Sequence, residues 1–176
     1  MNLKYSINLL IGLALIFMFP VFGTSQIQGN IEGFRGLQWG THVDSVTIHG
    51  EEVEMELYTT TDMNKEKLYR LEEEDLTIGT AELNDIYYVF DDQDRFFRVI
   101  INGKADYNED MEFILQNKFG PADMRFRKNG KFVRNWTLKD VSLIFEESRT
   151  KDFTVIIESD RDERDFYQIN TQVDDF

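Results

Sequence analysis

The sequence has no cysteine, two prolines and two histidines in 176 residues, and its 33 Asp and Glu far outnumber its 19 Lys and Arg. Without cysteine there is no disulfide scaffold, no thiol nucleophile and no attachment point for the lipid of a bacterial lipoprotein. The net charge of -14 argues against a general nucleic-acid binder, which needs a basic footprint to displace counterions from phosphates. A Ser-His-Asp set would have to use His42 or His49, and no Gly-x-Ser-x-Gly turn is present to expose a serine. A phosphate loop and a dinucleotide fingerprint are also missing. What the chain does have is core material. Hydrophobic residues make up 41% of it, with 15 Phe, 7 Tyr and 2 Trp, which excludes disorder and fits one globular domain.

The N-terminus carries Lys4, an uncharged apolar stretch from Ile7 to Phe22 interrupted by Pro20, and then the small residues Gly23, Thr24 and Ser25. The apolar run falls short of the ~20 residues that a membrane-spanning helix needs, so residues 1–25 read as a signal peptide cleaved after Ser25. The expected product is periplasmic or secreted, with no stable membrane anchor. Residues 26–32 then form a linker, 33–159 a single domain, and 160–176 a tail rich in Asp and Glu.

Within the domain, the clearest element is a helix over Tyr107 to Phe119. Asp106 is placed to cap it, Glu109 to complete a capping box, and Gly120-Pro121 to stop it. Tyr107, Met111, Ile114, Leu115 and Lys118 share one face at helical spacing, with Asn108, Glu109 and Gln116 away from it. A weaker helix is expected from Thr41 to Gly50, although Val43, Val46 and Ile48 make it a poor one. The rest alternates as strands. Val53, Met55 and Leu57 alternate with glutamates, and a shorter strand covers Leu68 to Leu71. Ile86 to Phe90 and Phe96 to Ile101 form a hairpin across Asp91 to Asp94, setting Tyr88 opposite Phe97. Asn129-Gly130 marks a second hairpin between Met124–Lys128 and Lys131–Leu138, and a third joins Val141–Phe145 to Phe153–Ile157. The expected fold is α+β: an antiparallel sheet of about seven to eight strands with one short and one long helix on one face, readable as two tandem helix-plus-four-strand units.

Gly33-Phe34-Arg35-Gly36-Leu37-Gln38-Trp39-Gly40 opens the domain, Leu76-Thr77-Ile78-Gly79 and Ile86-Tyr87-Tyr88-Val89-Phe90 follow, and Lys118-Phe119-Gly120-Pro121 ends the helix. In these motifs the chain resembles a diffuse group of uncharacterised small exported bacterial proteins with an F-x-G-x-x-W-G opening, an L-x-I-G turn and an I-x-Y-x-F strand. The shared motifs are structural and carry no chemistry. The helix-then-sheet order is similar to that of the β-lactamase inhibitor protein and the small outer-membrane-assembly lipoproteins. That resemblance implies a surface offered to another protein, although fold alone does not give function.

The most unusual local feature is Arg125, Arg127, Lys128, Lys131 and Arg134, five cations without an acid between Met124 and Asn135. A two-residue loop at Asn129-Gly130 puts Arg125 opposite Arg134 and Arg127 opposite Phe132, on the face of Trp136. Like charges facing each other are destabilising, so something must compensate. Either an anionic ligand or acidic partner sits against Arg125, Arg127, Phe132, Arg134 and Trp136, or intramolecular carboxylates such as Glu146 and Glu147 neutralise the arginines.

Other constellations are weaker. His42 and His49 are seven apart, unlike zinc ligands on a helix, and Asp91, Asp92 and Asp94 lack the glycine and terminal glutamate of a calcium loop, so no metal or cofactor is expected. Tyr87, Phe96 and Trp136 read as further core, or as the lining of a pocket for a small apolar ligand. The expectation is a non-enzymatic protein-interaction module. A small-ligand carrier is the alternative, and a carboxylate-based hydrolase comes last because nothing singles out a catalytic pair.

Overall fold

The structure is a computed structural model and describes residues 31–48, 50–150 and 152–160. The leader, most of the linker, His49 and the acidic tail beyond Asp160 lie outside the described residues. Two short ribbons open the chain: β1 (Gly33–Phe34) with β2 (Leu37–Gln38), and β3 (Thr47–Ile48) with β4 (Glu51–Glu52). Between them the expected short helix is only a 3-10 turn, Val43–Ser45, with the His42 Nδ1 accepting from the Asp44 N–H at 3.3 Å. The β-branched residues Val43, Val46, Thr47 and Ile48 pull the segment back to extended backbone.

The body is one antiparallel sheet of nine strands, rather than seven or eight. Its strands are β5 (Met55–Thr60), β6 (Lys67–Leu71), β7 (Thr77–Ile78), β8 (Ala81–Phe90), β9 (Phe96–Gly103), β10 (Met124–Lys128), β11 (Lys131–Leu138), β12 (Val141–Glu147) and β13 (Phe153–Ser159). The spatial order is β10-β11-β12-β13-β9-β8-β6-β5, with β7 paired to β8. Each half is a meander, and the two meet through their last strands, β9 and β13. The edges of the path are therefore β5 and β10.

Register assembles the core in rows. Trp136, Leu143, Ile157, Val99 and Tyr88 lie side by side across five strands, with Phe145, Val155, Ile101 and Ile86 in the next row. In a third row the Phe153 ring lies on Gly103, the one position there with no side chain to displace it. The β8–β9 register differs from expectation: Tyr88 faces Val99, and Ile86 faces Ile101. The slip arises because Phe90 pairs with Phe96 and a bulge follows. Asp91 is buried rather than a solvated tip residue. Its carboxylate accepts the N–H groups of Gln93 and Arg95 at 2.9 and 2.8 Å, which fixes the longer loop.

One helix, α1 (Asn108–Phe119), covers this face, entered through a 3-10 turn at Ala105–Tyr107. The turn replaces the expected Asp106 capping box, and neither N-terminus has a side-chain cap bond. The buried residues are Asn108, Met111, Leu115 and Phe119, so the inward face is rotated from that expected, with Lys118 exposed. Asn108 tolerates burial because its amide donates to Glu147 at 3.1 Å. Gly120 ends the helix at φ 80°, its N–H bonded to the Gln116 carbonyl at 2.8 Å. Beside the helix, Trp39 stacks on Phe96 at 4.7 Å and the Gly40 N–H reaches the Phe96 carbonyl, which seats Leu37 in the core.

Candidate functional site

The β10–β11 hairpin closes through Asn129 and Gly130, both at positive φ, 52° and 80°. Those values suit a two-residue primed turn matched to strand twist. Register follows: Arg125 faces Arg134, Arg127 faces Phe132, and Lys128 faces Lys131.

The five cations then separate by environment. Arg134 lies inward, 17% exposed, with Nε on the Glu112 carboxylate of α1 at 2.7 Å and Nη1 on Glu147 at 3.3 Å. Lys131 reaches Glu146 at 2.6 Å. Compensation is thus intramolecular for these two, with Glu112 as a partner that the sequence did not suggest. Arg125, Arg127 and Lys128 are exposed and form no ion pair with the described residues. Arg127 lies over the Phe132 ring at 3.9 Å, a cation–π contact that holds its charge at the surface. Trp136 is no surface anchor. It is 1% exposed, and its indole N–H donates to the Gly120 carbonyl at 2.8 Å, tying sheet to helix end.

What remains on the outside is an edge strand with Arg125, Arg127 and Lys128 interleaved with Met124 and Phe126, and Phe132 beside them. An open groove of about 310 Å³ runs over it, lined by Arg125, Phe126, Arg127, Phe132, Val133 and Arg134. The guanidinium of Arg149 packs 3.0 to 3.4 Å from where a Cβ on Gly130 would lie, adding a cation from the β12–β13 loop. Sequence distance hid that residue, since only the strand pairing brings the two loops together. Backbone alternation adds a further property. In a two-residue hairpin the closing pair is hydrogen-bonded, so the N–H and C=O of Arg125 and Arg127 point away from β11, towards open solvent.

The other candidates scatter. Phe96 and Trp136 sit in the core face, whereas Tyr87 lies on the opposite face against Tyr58, so the three do not meet around one cavity. His42 caps its 3-10 turn, and Asp94 pairs with Lys67 at 2.6 Å. Among the described residues no three His, Asp or Glu side chains converge as metal ligands. Two clusters were not legible in the sequence. Arg70 is stacked between Tyr58 and Tyr87 at 4.2 and 4.6 Å, hydrogen-bonded to Tyr87 and paired with Asp85 at 2.8 Å. Its hydrogen bond to Tyr87 leads the effects that hold its guanidinium above the usual range. Under the N-terminal ribbon, Arg35 and Tyr88 both donate to the Glu74 carboxylate, at 2.6 and 2.8 Å. Burial raises the Glu74 carboxyl and outweighs both partners, and burial beside Glu74 pushes the Tyr88 phenol well up. Both hold loops to the sheet, although Arg70 Nε and Glu74 Oε2 are buried without a hydrogen-bond partner among the described residues.

No family model matches the chain, and no significant match is found among curated proteins. Among solved structures the chain is similar to a DUF4309 family protein, YjgB, from Bacillus subtilis. The match has a TM-score of 0.40 and 12% identity, covering 70% of this chain and 88% of that one.

Proposed function

We propose that this protein is an exported, non-enzymatic module that binds another protein, and that the β10–β11 hairpin is its binding edge. One observation carries the reading. In a chain of net charge -14, an outer edge strand presents Arg125, Arg127 and Lys128 without an ion pair among the described residues, interleaved with exposed Met124 and Phe126. Such an edge fits an extended acidic segment. Added as a further strand, the segment would take its main-chain hydrogen bonds from Arg125 and Arg127 and its charge complement from their side chains. The site set changes accordingly. Arg125, Arg127 and Phe132 remain in it, Lys128 and Arg149 join it, and Arg134 and Trp136 hold the hairpin in place from beneath. The fold is also read as two tandem units. Each meander is preceded by a segment packed on the shared face, Leu37 to Val46 for the first and α1 for the second. The carrier reading has less support, because its three aromatic residues are divided between the two faces of the sheet.

The test uses a labelled short peptide alternating glutamate and valine, titrated with the protein and followed by fluorescence anisotropy. Binding should weaken roughly tenfold in the Arg125→Ala/Arg127→Ala variant and decline as salt is raised. Equal binding by the double variant sinks the proposal.

A further inference from the structure

The two edges of the sheet are opposite in charge and alike in apolar exposure. At one end β10 carries Arg125, Arg127 and Lys128. At the other, Glu54 and Glu56 flank Met55 at the start of β5, preceded by Glu51 and Glu52, and all four glutamates are exposed with no ion pair among the described residues. Of the exposed large hydrophobic side chains, Leu57 and Tyr58 lie on β5 and Met124, Phe126 and Phe132 on the hairpin, whereas Met63, Leu76 and Phe113 lie elsewhere. Exposed edge strands of this kind are pairing sites, and natural proteins usually blunt them. Here the glutamates and arginines blunt each edge only against its own kind. Pairing β10 with a second β10 sets three unpaired cations against three more, and pairing β5 with β5 opposes glutamates.

We infer that the partner of the basic edge is the acidic β5 edge of a second copy of this chain, giving head-to-tail assembly. This rests on reading the hairpin as a binding edge, and it names the occupant. Every neighbouring pair along the path is antiparallel, so β10 and β5 run in opposite directions. A copy displaced sideways therefore brings its β5 antiparallel to β10 and continues the sheet. In that arrangement Glu54 and Glu56 border Phe126 and Lys128 on one face. Met55 and Leu57 border the stems of Arg125 and Arg127 on the other, so the charge match belongs to the edge as a whole rather than to one pair. The contact is heterologous: the pair keeps one edge of each sign free, one on each copy, and assembly continues unless the rotation closes a ring.

The experiment is sedimentation velocity of the purified protein over a concentration series at about 0.15 M salt, where repulsion between the acidic bodies is screened beyond roughly 8 Å. The weight-average sedimentation coefficient should rise with concentration. Arg125→Glu/Arg127→Glu and Glu54→Lys/Glu56→Lys should each stay monomeric, with native circular dichroism, and an equimolar mixture of the two should regain association because each supplies the edge that the other lacks. Arg127→Pro compared with Arg127→Ala tests the backbone: both lose the charge, but only the proline also removes an outward N–H while leaving the bonds to β11 intact, so it should abolish association that the alanine variant keeps in part. A wild type that stays monomeric across the series, or a mixture that does not recover, overturns the inference. The acidic peptide separates the two readings. Glu54→Lys/Glu56→Lys keeps β10 and should still bind the peptide, so peptide binding by a strictly monomeric wild type refutes self-assembly and leaves the binding edge standing.

Discussion

Replacing Arg134 by Ala should cost far more stability than replacing Arg125 or Arg127, although all three belong to one run of the sequence. Arg134 is 17% exposed and bridges Glu112 of α1 to Glu147 of β12, which are 21% and 17% exposed. Its removal leaves two largely buried carboxylates, each keeping one neutral partner, Gln116 for Glu112 and Asn108 for Glu147. Breaking a fully buried pair costs about 3–5 kcal/mol; solvent access and the retained amides reduce this to about 2 kcal/mol. For a domain of this size that is a fall in Tm of about 4–8 °C. Among the described residues Arg125 has no ion pair to lose and Arg127 only its contact with Phe132, so each should change stability by no more than about 0.5 kcal/mol. Urea unfolding followed by the fluorescence of Trp39 and Trp136 measures all three. Arg134→Met, which keeps the stem, separates charge from packing, and a double-mutant cycle with Glu147→Gln should give a coupling of about 1 kcal/mol. Equal losses for the three arginines, or a vanishing coupling, would refute the division of the cations into structural and free.

Other outcomes follow from single contacts. A Cβ on Gly103 would lie 1.8 Å from the Phe153 ring, so Gly103→Ala should destabilise by about 3 kcal/mol, and Phe153→Ala in the same chain should recover part of that loss in thermal melts. The Glu74 carboxyl is raised on folding, so the native state holds that proton more tightly than the unfolded chain does. Its contribution to stability is fully present below the ordinary carboxylate pKa and declines as pH rises through the higher native value. Glu74→Gln lacks this titration, and its stability relative to wild type should therefore climb in urea melts across the window that opens at the ordinary carboxylate pKa of about 4 and extends upward. A constant difference across that window would contradict the raised value.

The hairpins were readable where local chemistry decides them. Asn129-Gly130 gave the β10–β11 register residue by residue, and the alternation of Val141–Phe145 with Phe153–Ile157 placed β12 and β13. Misreadings arose where a tertiary contact outweighed a local signal. The Asp91 carboxylate holds a longer loop than the turn residues suggest and shifts β8 against β9. Glu147 accepts the Asn108 amide and turns that residue inward, and the Gly120 carbonyl draws Trp136 beneath the helix end. At the candidate site, the basic run was visible as an anomaly, yet its division depends on Glu112, whose approach to Arg134 is set by the packing of α1. The opposite sign of the far edge was equally hidden: its glutamates stand out as an alternating pattern, but only the strand order places them at the end of the sheet.

The joining of the halves through β9 and β13 has a kinetic consequence. The final described strand sits fourth from one border of the sheet and supplies the only partner for the inner side of β9, with Phe153 facing Gly103 across a long stretch of intervening chain. A polypeptide emerging N-terminus first cannot seal its middle until that last segment arrives, so both meanders must wait with an unsatisfied border in place. A truncation before Phe153 should therefore leave two adhesive borders rather than a slightly shorter protein, and premature termination would be expected to yield aggregates instead of a smaller folded species.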